Sequence, residues 1–189
     1  MKVLFVNSCL RQESRTKKLA FAYLEKLQKA NPDMEIKEIE LQKLPLQPLN
    51  AEILAKRDEL SASNDFTNEF FDYANEFAGA DKIVIAAPYY DLQFPAILKT
   101  YLENICVCGI AFKYNEKGIP VGLCKAEQLV YITTAGGYIG SFNYGFDYIK
   151  GLCMLLGIFD TKEITAEGLD IYGNNVEEIL KEAINKITI

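Results

Sequence analysis

Three short stretches of this chain carry side chains suited to holding a ligand. The first is Ser8-Cys9-Leu10-Arg11-Gln12-Glu13-Ser14-Arg15-Thr16. It lies between an apolar run and a helical one, so the helix dipole and free backbone N–H groups favour an anion there. Ser8, Ser14 and Thr16 add hydroxyl donors, and Arg11 and Arg15 add positive charge. No glycine occurs in it, which excludes both the nucleotide P-loop and the G-x-G-x-x-G turn. A single terminal phosphate therefore suits it better than a di- or triphosphate. The competing reading is a plain Ser14 cap with solvated arginines.

The second stretch is Pro88-Tyr89-Tyr90-Asp91-Leu92-Gln93-Phe94-Pro95, placed between the apolar run 83–87 and a helical run. Two tyrosines and two prolines offer flat surfaces on a rigid backbone, which suits a planar ring. Aromatic packing under the next helix is the alternative. The third is Thr133-Thr134-Ala135-Gly136-Gly137-Tyr138. Its paired glycines permit close backbone approach to a ligand, and Tyr138 adds a ring, although a simple Gly-Gly turn has the same residues. A phosphate-binding loop beside two ring-binding loops matches flavin mononucleotide (FMN).

These loops need elements to present them. The apolar run 3–7 reads as a buried strand, followed by a Ser14-capped helix from Arg15 to about Ala30 with a stripe of Leu19, Ala20, Tyr23, Leu24 and Leu27. Alternation over 34–41 predicts an edge strand, 44–49 a loop, and Asn50 the cap of a short helix to about Lys56. Further helices are expected at 67–78, 95–107, 142–156 and 176–187, and strands at 83–87, 128–133 and 160–166. Strands alternating with helices imply right-handed crossovers and a parallel sheet. The expected fold is α/β, a doubly wound sandwich with five parallel strands in the order 2-1-3-4-5. In that order the three loops meet at one sheet edge, where such folds bind ligands. The chain reads as one domain over residues 1–189, with a hairpin-like insertion at about 109–123. In that insertion Ile110, Phe112 and Tyr114 look like apolar residues in need of a partner, which favours a homodimer.

Composition narrows the chemistry. There is no histidine, so Ser-His-Asp and Cys-His catalysis and most catalytic zinc sites are excluded. The five cysteines, at 9, 106, 108, 124 and 153, lack metal-ligand spacing and read as reduced core thiols. Cys9 stands apart, because a helix N-terminus would lower its pKa. With net charge −6 and scattered basic residues, nucleic acid is an unsuitable partner. No apolar stretch approaches bilayer-spanning length, and the N-terminal run of five apolar residues reads as a strand rather than a signal peptide. A cytoplasmic protein without a metal or membrane partner is expected.

The segments 8–16, 86–99, 109–114 (Gly-Ile-Ala-Phe-Lys-Tyr) and 133–137 together resemble the flavodoxin-like NAD(P)H-dependent oxidoreductases, the family of FMN-dependent NADH-azoreductases and NAD(P)H:quinone oxidoreductases. The resemblance covers nearly the whole chain. It implies that Ser8, Ser14, Arg15 and Thr16 surround the FMN phosphate, with Arg11 nearby. It further implies that Pro88, Tyr89, Tyr90, Asp91 and Leu92 run along the ring and ribityl. Thr134, Ala135, Gly136, Gly137 and Tyr138 would meet the ring's polar edge. Phe112 and Tyr114 would border the substrate pocket of a second subunit. The implied reaction is ping-pong: NADH or NADPH delivers hydride to flavin N5, and a quinone or azo acceptor then takes two electrons. Tyr90 is the one side chain that could assist as an acid. Tyr90-Asp91 stands where azoreductases commonly show Tyr-Asn, and Ala135 where some carry arginine. The alternative is a flavodoxin-type one-electron carrier, whose T-x-T-x-x-T loop differs from 8–16. A cofactor-free interaction domain is a third reading. An iron–sulfur flavoprotein would need a compact run of cysteines.

Overall fold

The structure, a computed structural model, describes residues Met1–Ile189. Seven strands and six α-helices follow in the order β1 (Lys2–Asn7), α1 (Arg15–Ala30), β2 (Glu35–Glu40), α2 (Ala51–Ala62), α3 (Asp72–Gly79), β3 (Lys82–Ala86), α4 (Ala96–Ile105), β4 (Phe112–Tyr114), β5 (Pro120–Gly122), β6 (Gln128–Thr134), α5 (Tyr144–Leu156), β7 (Asp160–Ala166) and α6 (Val176–Asn185). The main sheet has the order β2-β1-β3-β6-β7, with every neighbouring pair parallel. Setting aside the β4–β5 hairpin, this is the expected 2-1-3-4-5 order. No helix is long and apolar enough to cross a membrane.

The sheet separates two cores. β1, β3 and β6 are apolar on both faces because helices cover both, as parallel sheets require. Leu19, Ala20, Tyr23, Leu24 and Leu27 of α1 lie with Val3, Phe5, Val84, Val130 and Ile132 on one face, where α6 also packs. Phe77, Leu98, Tyr101, Leu102 and Ile149, from α3, α4 and α5, cover the other with Leu4, Val6, Ile83, Ile85 and Tyr131. β2 is an edge strand, with Glu35, Lys37 and Glu38 exposed and Glu40 half-buried.

Several expected boundaries move. α2 continues to Ala62, beyond Lys56, on its Asn50 cap. The expected helix 67–78 is a 3-10 turn over Glu69–Phe71 followed by α3, with Asn68 capping the turn through its bond to the Phe70 N–H. The insertion is a hairpin, β4 antiparallel to β5. However, its apolar residues are not all left over. Ile110 and Ala111 are core residues, and Phe112 packs against them, because the hairpin base folds back under the domain. Tyr114, Ile119 and Val121 remain exposed.

Candidate functional site

The C-terminal ends of β1, β3, β6 and β7 open on one edge, and the loops that follow them build the site. Ser14 caps α1: its Oγ accepts from the Lys17 N–H at 3.2 Å. The backbone N–H groups of Arg15 and Thr16, next in the helix, have no acceptor within the protein. Helix α1 has no acid in its first turn, so nothing on the helix itself offsets the positive end of its dipole. Thr16 is buried and its Oγ1 lies 2.7 Å from Thr134 Oγ1, which ties the start of α1 to the end of β6. Ser8 is buried behind the opening, with its hydroxyl donating to the Ala86 carbonyl at 2.9 Å. It joins β1 to β3 beneath the loops.

The loop after β3 turns at Tyr90-Asp91-Leu92-Gln93. Tyr90 and Gln93 exchange both backbone hydrogen bonds, at 3.0 and 2.8 Å. Asp91 and Leu92 have φ of 50° and 70°, the signature of a type I′ turn made without glycine. A leucine held there is strained, and such strain concentrates at ligand-binding sites. The turn leaves the Asp91 and Leu92 N–H groups without protein acceptors, as are those of Gly136 and Gly137. Tyr89 donates its phenol to the Phe142 carbonyl at 2.9 Å, linking this loop to the one after β6. Burial raises its pKa, and the nearby Glu167 adds to the shift.

The loop after β6 is anchored by two glutamates. Glu167 accepts from the Ile139 N–H at 2.9 Å, and Glu163 accepts from Asn143, the cap of α5, at 2.9 and 3.0 Å. Burial holds the Glu163 carboxyl above its ordinary pKa, against the stabilising bond from Asn143. The loop after β7 lies alongside. Leu169 N–H donates to Ala135 O at 3.2 Å and Asp170 N–H to Gly136 O at 2.9 Å.

These loops enclose a pocket of about 260 Å³. Arg11, Ser14, Arg15, Thr16, Pro88, Tyr89, Tyr90, Thr134, Ala135 and Gly136 line it, residues from all three stretches singled out in the sequence. Asp91, Leu92, Gly137 and Tyr138 stand outside its wall, Tyr138 with 74% of its surface exposed. Phe112 and Tyr114 lie on the hairpin, away from this pocket. Glu13, Leu169 and Asp170 also line it and were not anticipated. The signal for the last two was weak: Glu167-Gly168-Leu169-Asp170 is a glycine-containing loop after the fifth sheet strand, with no aromatic or hydroxyl pattern. A cleft of similar size, about 270 Å³, lies near Lys2, Glu35, Lys37 and Glu76 at the opposite edge. That is the N-terminal end of the strands, not the end where such sheets bind ligands.

Cys9 corrects an expectation. Its thiol is buried and desolvated, so its pKa rises, and the bond to Ser14 and the charge of Lys17 only partly oppose this. Burial outweighs the helix end. Nor are all five cysteines core residues, since Cys108 is exposed in the turn that leads into β4.

The fold and the edge pocket together define a flavodoxin-type ligand-binding protein, and comparison with known proteins agrees. The chain belongs to the flavodoxin-like fold family, whose model matches residues 1–188. It is 39% identical, over 98% of its length and 95% of the relative's, to an FMN-dependent NADH:quinone oxidoreductase of Clostridium perfringens. A protein of the same name from Clostridium beijerinckii matches equally, at 39% over the same shares. Among solved structures, an azoreductase from Bacillus anthracis superposes with a TM-score of 0.86 at 26% identity, covering 98% of this chain and 96% of that one.

Proposed function

We propose that this protein is an FMN-dependent NADH:quinone oxidoreductase that also reduces azo-type acceptors. One observation carries the reading. In a chain resembling such enzymes along its whole length, the free N–H groups at the start of α1 share a pocket with the aromatic β3 loop and the Ala135-Gly136 backbone. The donor set fits FMN: hydroxyls, arginines and helix amides suit a phosphate, and tyrosines with unpaired backbone N–H groups suit a planar ring with a polar edge. When bound, FMN supplies two-electron chemistry, taking electrons from NADH and passing them to the acceptor in separate half-reactions.

The chain's own residues have narrower tasks. Ser14 and Thr16 bind the phosphate with the adjoining N–H groups, each charge-assisted bond contributing about 1.5–3 kcal/mol. Pro88, Tyr89 and Tyr90 wall the ring. The free Gly136 amide lines the pocket and those of Asp91, Leu92 and Gly137 stand beside it, so these would be the donors available to the polar edge of a bound ring. No protein acid or base is required, in keeping with a sequence that lacks histidine.

A homodimer with shared sites belongs to the same reading. It is supported by the exposed apolar residues Tyr114, Ile119 and Val121 on the hairpin.

The purified protein, given FMN, should show the absorbance of a bound oxidised flavin. Ser14→Ala together with Thr16→Ala should weaken FMN at least tenfold more than riboflavin, which lacks the phosphate, an effect of about 1.4 kcal/mol or greater. Equal weakening of both flavins would place the phosphate elsewhere.

A further inference from the structure

The guanidinium of Arg15 already has a partner. Its Nη1 donates to Asp170 Oδ1 at 2.7 Å and to the Leu169 carbonyl at 3.3 Å. Asp170 is placed firmly, because the segment that carries it is joined to the loop after β6 by three backbone bonds. These are Gly168 N–H to Gly137 O at 2.9 Å, Leu169 N–H to Ala135 O at 3.2 Å, and Asp170 N–H to Gly136 O at 2.9 Å. The second carboxylate oxygen, Oδ2, rests on Gly136. A Cβ added there would fall 2.4 Å from it, so glycine at 136 makes room for this carboxylate.

The charges around the pocket are Arg11 and Arg15 against Glu13 and Asp170, which sum to zero. Glu13 is paired with Lys18 at 3.1 Å. Asp170 is therefore the acid that neutralises an arginine where an anion would enter. A phosphate arriving at the start of α1 meets a guanidinium whose charge is offset and whose Nη1 donor is taken.

We propose that Asp170 is a built-in competitor for the cofactor phosphate: through Arg15, its carboxylate sets the affinity of the pocket and its preference for a phosphorylated flavin. This rests on the FMN reading above. Such a competitor keeps the phosphate contribution below what the two arginines alone would supply. The pair is partly in solvent, with side-chain exposures of 39% and 69%, so screening keeps the effect moderate. A unit charge removed at about 4–6 Å in a largely aqueous setting changes affinity by roughly three- to tenfold.

The test is equilibrium titration of the flavin-free full-length protein with FMN and with riboflavin, read by flavin fluorescence. Asp170→Asn, which keeps the shape and one acceptor oxygen, should tighten FMN by roughly three- to tenfold and leave riboflavin within about twofold. In an Arg15→Gln background the same change should move FMN affinity by clearly less, because only the direct repulsion between carboxylate and phosphate is then relieved. FMN binding unchanged or weakened by Asp170→Asn would overturn the proposal, as would parallel shifts for both flavins or an undiminished effect in Arg15→Gln. In those cases the unaltered protein still binds FMN and the functional reading stands. Failure of the unaltered protein to bind either flavin would sink that reading, and this inference with it.

Discussion

Ser14 combines two roles that conflict in most residues. As the cap of α1 its oxygen accepts from the Lys17 N–H, while its hydroxyl, which also neighbours the Cys9 thiol, is the donor it can offer an anion. Its position was legible because a hydroxyl residue directly before an amphipathic stripe marks a helix start. Asp170 was not legible, since its importance comes from a contact with Arg15 across more than 150 positions of sequence. Cys9 misled for a similar reason: a helix end is visible in sequence, whereas the burial that outweighs it is not. Glu163 gives a test at this scale. Its folded pKa is raised above the ordinary 4.5, mainly by burial, so the native state holds its proton more tightly than the unfolded chain does. That contribution to stability is complete below about pH 4.5 and is lost as pH rises through the folded value. Glu163→Gln stays neutral and keeps an acceptor for Asn143. It should therefore melt higher than the unaltered protein at pH 7–8, with the gain shrinking towards pH 4. A lower melting temperature at pH 7 would show that the charged carboxylate is needed.

The elements were the most readable level. β7 was delimited to the residue, and α1 began and ended as its cap and stripe indicated, because strong periodicity and clear capping agree there. The helix expected over 67–78 begins only at Asp72, since Asn68 caps a tight turn that three phenylalanines fix by packing, with Phe66 and Phe70 both edge-on to Phe71. The hairpin was expected as an insertion, but not what holds it. β5 runs against the end of α5 with two glycines facing each other. A Cβ at Gly122 would lie 2.1 Å from the Gly157 nitrogen and the Leu156 carbonyl carbon. Gly157, at φ 84°, ends α5 in the left-handed conformation that glycine tolerates best. Because the obstructing atoms are backbone, the chain has to separate to admit a methyl group. Gly122→Ala should cost about 2–3 kcal/mol, a fall in Tm of roughly 5–10 °C. Gly79→Ala, where a Cβ meets nothing within 4 Å, is the matched control and should stay within about 1 kcal/mol. Equal effects of the two changes would mean that the contact between β5 and α5 yields easily.

At the scale of the whole molecule, strand order decides the function. The order β2-β1-β3-β6-β7 brings residues about 120 positions apart, such as Thr16 and Thr134, to 2.7 Å. Right-handed crossovers put helices on both faces, and the reversal of strand order between β1 and β3 brings these loop ends together. The partner surface does not follow, because Ile110 and Phe112, which looked unclaimed, are taken up by the chain's own core. Tyr114, 59% exposed, is the hairpin residue on which the dimer proposal rests. Light scattering at micromolar concentration should give a dimer mass, and Tyr114→Ala should alter acceptor kinetics more than FMN retention, whereas a monomer would end the shared-site proposal. Two-electron turnover rests on a flavin held at the edge pocket. Anaerobic stopped-flow mixing of the FMN-loaded protein with NADH tests it most directly. Full bleaching of the oxidised flavin band in one step is expected, followed by its return on adding a quinone. A flavin that NADH leaves oxidised, or that persists in a one-electron-reduced form, would contradict it and favour an electron carrier.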